Sequence, residues 1–205
     1  MSSARRVHHT YDQYLRALEL SELKLEYCEG GIYAMAGGTP LHAALAGDLI
    51  RLLGNALLGQ SQVFSSDLEV RIEATDLSTF PDVTVVRGET QLAPLDAHAV
   101  TNPRLLVEVT SQSSEDYDRG DKLSHYKQLP SLRAVLLVSH RREQVTVVER
   151  VGATWCQLER RAGEDVVLAS PKLELPVDEI YRGVTLDERE LTERANAWRS
   201  ERDRR

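Results

Sequence analysis

The stretch LLVEVTSQSS, residues 105–114, constrains the fold more than any other part of the chain. Leu105, Leu106, Val107 and Val109 make an apolar run of the kind that forms a strand buried on both faces. Glu108 stands in the middle of that run. A glutamate is almost never fully buried unless it is paired or bound to a metal, because taking its charge out of water without compensation is costly. Whatever fold the chain adopts must bring a partner to Glu108. Arg71, Arg104 or Arg133 could supply it across a sheet, and so could a metal ion.

The flanking sequence supplies the other elements. Residues 10–20 read as a short helix with Thr10 as its N-cap, and KLEYCEGGIYAMA reads as two short strands around Gly30-Gly31. In GGTPLHAALAGDLIRLLGNALL, Thr39 caps a helix, Pro40 takes its first turn, and Leu41, Leu45, Leu49, Leu52 and Leu53 recur at helical spacing. QVFSSDLEVRI, PDVTVVR, RLLVEVT, RAVLLVS and QVTVVERVGATWCQLE read as strands, the last turning near Gly152, and residues 88–103 read as a loop. SSEDYDRGDKLSHYKQL reads as a helix opened by Ser113 or Ser114 and closed by Pro130. Strands interleaved with helices imply one α/β domain over residues 10–185. Residues 186–205 are highly charged, with Leu191, Ala195 and Trp198 on one stripe, and suggest a terminal helix or tail.

Composition narrows the class. No apolar run approaches the roughly 20 residues of a membrane span, and MSSARRVHHT lacks the apolar centre of a secretory signal. Two cysteines, Cys28 and Cys156, make no disulfide framework and no CxxC pair, so a cytoplasmic protein with reduced thiols is expected. A net charge of −7 argues against a protein that coats nucleic acid through lysine and arginine. It leaves room for an enzyme whose site needs carboxylates to hold a cation.

Two carboxylates lie in strand-like segments, Asp82 at the head of PDVTVV and Glu108 within LLVEVT. On neighbouring strands they can converge at one end of a sheet, where like charges repel and raise a pKa. A divalent cation removes the conflict, and hard oxygen ligands suit Mg²⁺ or Mn²⁺. Asp82 as a turn cap and Glu108 in an arginine pair remain the structural alternatives. Glu115, Asp118, Lys122 and Tyr126 recur about one helical turn apart, with Leu129 beyond them, so Lys122 can face the strand that carries Glu108. An exposed Asp118–Lys122 pair would be the ordinary alternative, at a few tenths of a kcal/mol. A cation, carboxylates to hold it and a lysine to stabilise charge are the groups that metal-assisted phosphodiester cleavage needs. Asp67 and Glu69 alternate with apolar residues, which places them on a polar strand face; Asp67 could still approach the site.

LEYCEGGIYAMAGGTPLHAALAGDLIRLL, FPDVTVV, NPRLLVEVTSQSSEDYDRGDKLSHYKQL and RAVLLVSHRREQVTVVER together resemble the Uma-type restriction-endonuclease family of the PD-(D/E)xK nuclease superfamily, over residues 10–185. The resemblance implies a restriction-endonuclease-like α/β core, a central mixed β-sheet flanked by helices. It makes Pro81-Asp82 the PD motif and Glu108 the acidic residue of the second motif. The superfamily's lysine two residues later is Thr110 here, and the family resembled supplies its lysine from the next helix, which makes Lys122 the match. Asp82, Glu108 and Lys122 are then catalytic, with Asp82, Glu108 and Glu26 around a Mg²⁺ or Mn²⁺ ion. Glu29 is an alternative to Glu26, and His42 and Tyr126 match family positions without an assigned role.

The leading expectation is a metal-dependent endonuclease acting on DNA, as a homodimer suited to cutting two strands. Two other readings compete with it. One is a non-catalytic binding or assembly protein on a nuclease scaffold, and the other is a metal-dependent hydrolase of another phosphoester.

Overall fold

The computed structural model describes residues 7–35, 37–111 and 115–186. Helix α1 (Tyr11–Leu20) opens at Thr10, whose side chain and that of Gln13 form a capping box. Strands β1 (Leu25–Cys28) and β2 (Gly31–Ala34) pair across a tight turn in which Glu29 and Gly30 both have positive φ, 47° and 85°. That conformation matches the twist of a two-residue hairpin. Helix α2 (Pro40–Ala56) is capped by the Thr39 side chain, which accepts the His42 N–H.

Seven strands follow: β3 (Gln62–Ser65), β4 (Glu69–Ile72), β5 (Leu77–Thr79), β6 (Val83–Val86), β7 (Leu92–Ala93), β8 (Asp96–Val100) and β9 (Pro103–Val109). A helical stretch then runs through α3 (Glu115–Tyr117), a π-helical turn (Asp118–Lys122) and α4 (Leu123–Tyr126). The chain continues with β10 (Ala134–Val138), β11 (Gln144–Val151), β12 (Thr154–Arg161), β13 (Asp165–Ala169), β14 (Lys172–Pro176) and α5 (Val177–Ile180).

These strands make two six-stranded mixed sheets and one hairpin. The first sheet has the order β2-β1-β5-β4-β8-β7 and the second β12-β11-β10-β9-β6-β3, with β13-β14 apart. Each six-stranded sheet has one parallel pair, β4 with β8 and β9 with β10. The second sheet is the middle layer. On one face Leu105, Val107 and Val109 pack against Leu45, Leu49 and Leu53 of α2, the β13-β14 hairpin and α5. On the other face Leu106, Val135 and Leu137 pack against Leu123, Tyr126 and Leu129 and against Val70, Ile72 and Leu77 of the first sheet. Strand alternation explains the split: one side of β9 goes to each core. Glu108 therefore points the same way as Leu106, toward α4 and the first sheet.

The structure departs from the sequence reading in four places. Residues 88–103 carry the short pair β7 and β8 as well as loop, and Pro103 opens β9. Glu69 is not on a polar face; it is 2% exposed, and Tyr14 donates a hydrogen bond to it from α1. The helix after β9 contains a π turn that period counting did not predict. The β13-β14 hairpin and α5 had no sequence assignment. Ser113, Ser114 and the stripe of Leu191, Ala195 and Trp198 lie outside the described residues.

Candidate active site

Asp82 and Glu108 meet because β6 and β9 run antiparallel in register, Val83 opposite Val107. Asp82 immediately precedes β6, at the end of that ladder. Its Oδ2 accepts the Val109 N–H at 2.7 Å and lies 3.2 Å from His42 Nε2 on α2. The cap role left open for Asp82 is thus present in the structure, alongside its place beside Glu108.

Glu108 is 4% exposed and Lys122 is 5% exposed. Lys122 Nζ lies 3.0 Å from Glu108 Oε1, 3.5 Å from Glu26 Oε1 and 3.9 Å from Asp118 Oδ1. Tyr126 donates its hydroxyl proton to the same Glu108 Oε1, and Thr79 donates to Glu26 Oε1. The lysine of the following helix, rather than an arginine, is thus the partner that the buried carboxylate required. Arg71 instead pairs with Asp76, and Arg104 donates to Ser170. The exposed-pair alternative for Asp118 and Lys122 fails, since both are buried.

The π turn helps to align this set. Two i, i+4 steps of an α-helix accumulate about 80° of drift at roughly 100° per residue. A π turn closes i→i+5 bonds and winds less per residue, so it takes up part of that drift. Asp118, Lys122 and Tyr126 accordingly all face inward. Thr110, at the superfamily's usual lysine position, is fully buried and turned to Val138 O and His140 Nδ1.

Glu26 reaches the cluster from the first sheet, on β1, and its half-buried carboxylate is fixed by Thr79 of β5. Glu29 sits at the exposed hairpin turn instead. Asp67 is an exposed partner of Lys24 and takes no part. The sequence reading left three participants, Asp118, His42 and Tyr126, without a role. Asp118 was visible in the 118–122–126 spacing, whereas nothing local to α2 signalled that His42 would meet Asp82.

Burial pushes the Glu108 carboxyl up to about 8; Lys122 opposes this, while Asp82 and Asp118 add to it. Burial alone would lower the Lys122 pKa, but Glu108, Tyr126, Glu26 and Asp118 together hold the ammonium well above its ordinary value. The hydrogen bond that His42 donates to Asp82 raises the imidazole pKa, with burial acting against it. The surrounding acidic groups thus favour the charged form of Lys122.

The set fits a hard divalent cation by chemistry. Its donors are carboxylate oxygens, which suit Mg²⁺ or Mn²⁺. Hydrogen-bond donors and cations reach Asp82 Oδ2 and Glu108 Oε1, and each carboxylate has a second oxygen to offer an ion. No three His, Cys, Asp or Glu side chains among the described residues form a ready metal cage. A Mg²⁺ site does not require one, since this ion keeps several waters and often uses one or two carboxylates.

A cavity of about 1030 Å³ opens beside the cluster, lined by Glu26, Cys28, Glu29, Tyr33, Tyr117 and His125 among others. Cys28 Sγ is 3.9 Å from His125 Nε2, but burial and the charges of Glu29 and Glu26 push the thiol pKa up. Cys28 is consequently no activated nucleophile.

Known proteins are similar to this chain in sequence or in fold. Two uncharacterized proteins of Synechocystis sp. are similar to it. One, slr1290, is 36% identical over 180 residues, 84% of this chain and 91% of that protein. The other, sll1609, is 31% identical over 157 residues, 76% of this chain and 89% of that protein. The crystal structure of "a putative nuclease belonging to DUF820" from Anabaena variabilis superposes with a TM-score of 0.68 at 16% identity, covering 85% of this chain and 98% of that one. That likeness establishes a common mixed α/β fold. Residues 11–178 match the Uma2 family, described as "Putative restriction endonuclease", and the chain belongs to that family.

Proposed function

We propose that this protein is a Mg²⁺- or Mn²⁺-dependent nuclease that hydrolyses phosphodiester bonds of DNA. The observation that carries the reading is Lys122, a buried ammonium set among Glu26, Glu108 and Asp118 beside the end of the strand pair that bears Asp82. Asp82 and Glu108 would hold the ion, with Glu26 at its edge. A bound ion would neutralise phosphate charge and make a water more acidic. The Val109 N–H and His42 orient the Asp82 carboxylate, and Tyr126 orients that of Glu108. Lys122, held protonated, stabilises negative charge building on the attacked phosphate. No side-chain nucleophile is needed. A homodimer acting in the cytoplasm, one site per DNA strand, would suit this chemistry.

One observation favours the scaffold reading. Lys122 already satisfies Glu108 with an ion pair at 3.0 Å, so the cluster could be a structural network that holds no ion. Plasmid, single-stranded DNA, RNA and a small phosphodiester, each incubated with Mg²⁺, Mn²⁺ or EDTA, separate these readings and the other-phosphoester alternative. Cleavage of DNA is expected only with metal, and Asp82→Ala and Glu108→Gln should abolish it. Undiminished activity in EDTA, or in Asp82→Ala, would refute the assignment.

A further inference from the structure

Four neighbouring strands of the second sheet each bring an arginine to the end away from Glu108. Arg87 directly follows β6, Arg104 is near the start of β9, Arg133 directly precedes β10 and Arg150 lies near the end of β11. The register makes them neighbours: Val86 pairs with Pro103, Leu105 with Ala134, and Ala134 with Glu149. The Arg133 N–H donates to Arg104 O at 2.9 Å, and the Arg150 N–H to Arg133 O at 2.8 Å. At roughly 4.8 Å between strands, the row crosses about 15 Å of surface.

The row lacks counter-charges. Among the described residues no carboxylate lies within ion-pair distance of any of the four, whereas Arg16, Arg51, Arg71, Arg119 and Arg141 each pair with an acid. This is unexpected in a chain of net charge −7. The arginines also act on one another: beyond burial, Arg133 and Arg87 lower the Arg104 pKa, and Arg133 lowers that of Arg150. Two members have structural work as well. Arg104 donates to Ser170 Oγ, and Arg150 to Lys127 O and Leu129 O while lying over the Trp155 ring. Arg133 has one long bond, to Pro130 O at 3.4 Å, and Arg87 is exposed with no side-chain hydrogen bond among the described residues. Their guanidinium donors are open to an anion.

We propose that this arginine row binds the phosphate backbone of a nucleic acid, at a place separate from the carboxylate cluster. Arginine's planar fork suits phosphate oxygens, and a row this long suits successive phosphodiesters rather than one small anion. The charge argument stands by itself; the choice of nucleic acid among polyanions rests on the nuclease reading above. Glu108 lies about 13 Å further along β9 from Arg104, with the apolar contacts of Leu106 between them.

The test is anisotropy of a fluorescein-labelled 20-mer duplex with the full chain in EDTA, across a salt series. Arg87→Gln/Arg133→Gln should weaken binding about tenfold or more. It should also flatten the slope of log K against log salt by about 2, near 0.9 per lost phosphate contact. Where the double variant melts early, the exposed single variant Arg87→Glu should also weaken binding and flatten the slope by about 1, for one lost contact. Hydrolysis of bis(p-nitrophenyl) phosphate with Mn²⁺ reads the nuclease assignment separately, because so small a substrate does not span to the row. The double variant should keep the wild-type rate on it. Unchanged duplex affinity and salt slope in both variants overturns the proposal. So does a wild-type protein that binds no duplex at low salt, or a dimer that Arg87→Glu dissociates, which would make the row a protein interface.

Discussion

Replacing Lys122 by methionine should destabilise the protein without metal, and do so more as pH rises. Methionine matches the lysine stem in length but removes the ammonium 3.0 Å from Glu108 and 3.5 Å from Glu26. Glu108 and Lys122 are about 95% buried, so water cannot replace the lost partner. Breaking a buried pair from one side costs about 3–5 kcal/mol. For a chain of this size that is a fall of about 6–20 °C in melting temperature, at roughly 2–4 °C per kcal/mol. Glu108 can evade part of the cost by staying protonated. Its folded pKa, already about 8, lies above the ordinary carboxylate value, so its contribution to stability is complete in acid and is lost as pH rises through that pKa. Removing Lys122 takes away the influence that opposed this shift. The deficit should therefore be small at pH 6, grow by about 1.4 kcal/mol per pH unit above about 8, and be clearly resolved at pH 9 while still short of its full size. Thermal and urea unfolding in EDTA at both pH values measure it, with an unchanged urea slope showing that the comparison is of stability alone. Millimolar Mn²⁺ should then stabilise the variant more than wild type, since a repelling charge has gone. If Lys122→Met melts with wild type at pH 9 in EDTA, the ammonium is not what holds these carboxylates, and the electrostatic account of the site is wrong.

Two further outcomes are expected. Glu69 is pushed up to about 7, by burial first, with Tyr14 opposing and Asp96 reinforcing, so its neutral form stabilises the fold in acid and this is lost as pH rises through about 7. Glu69→Gln should thus gain about 3 kcal/mol over wild type above pH 8 and much less below pH 5, read by urea unfolding; a gain independent of pH would disprove the burial account. Tyr126→Phe removes a hydroxyl that donates to Glu108, at a cost of about 1.5–3 kcal/mol for a bond to a charged acceptor. It should also move any alkaline-rising limb of the activity profile to higher pH, because that bond favours the charged carboxylate; a profile left in place would exclude an orienting role.

Much of this was legible in the sequence because the signals were local. Thr39-Pro40 and the leucines at i, i+4 defined α2, and Glu108 within an apolar run announced a buried charge before its partner was known. The phase of Lys122 pointed in the right direction even though the helix has a π turn, because Tyr126 and Leu129 anchor its C-terminal end in the core. Other features depend on distant contacts. Glu69 looked like a surface residue because alternation reports one face of a strand and not what covers the other; α1 covers it with Tyr14. The β7 and β8 pair is too short to show periodicity, and Pro94 and Pro103 mimic loop composition. The pairing of His42 with Asp82 needs the packing of α2 on β6 and β9, which no local pattern encodes.

The carboxylate cluster draws on both sheets: Glu26 comes from the first, Glu108 from the second, and Lys122 from the helix packed between them. This has a consequence for the order of folding. Each hairpin can form from near neighbours in sequence, but the cluster exists only after segments far apart in the chain have closed on one another and the sheets have docked. Closing such long loops is the slow, entropically opposed part of folding, and charges whose compensation awaits it gain nothing earlier. Substitutions at Lys122 or Glu26 should accordingly accelerate unfolding and leave the refolding rate nearly unchanged, the behaviour of contacts absent from the transition state. The groups that make the proposed site should then also act as a late latch, assembling only at the step that makes the fold kinetically durable.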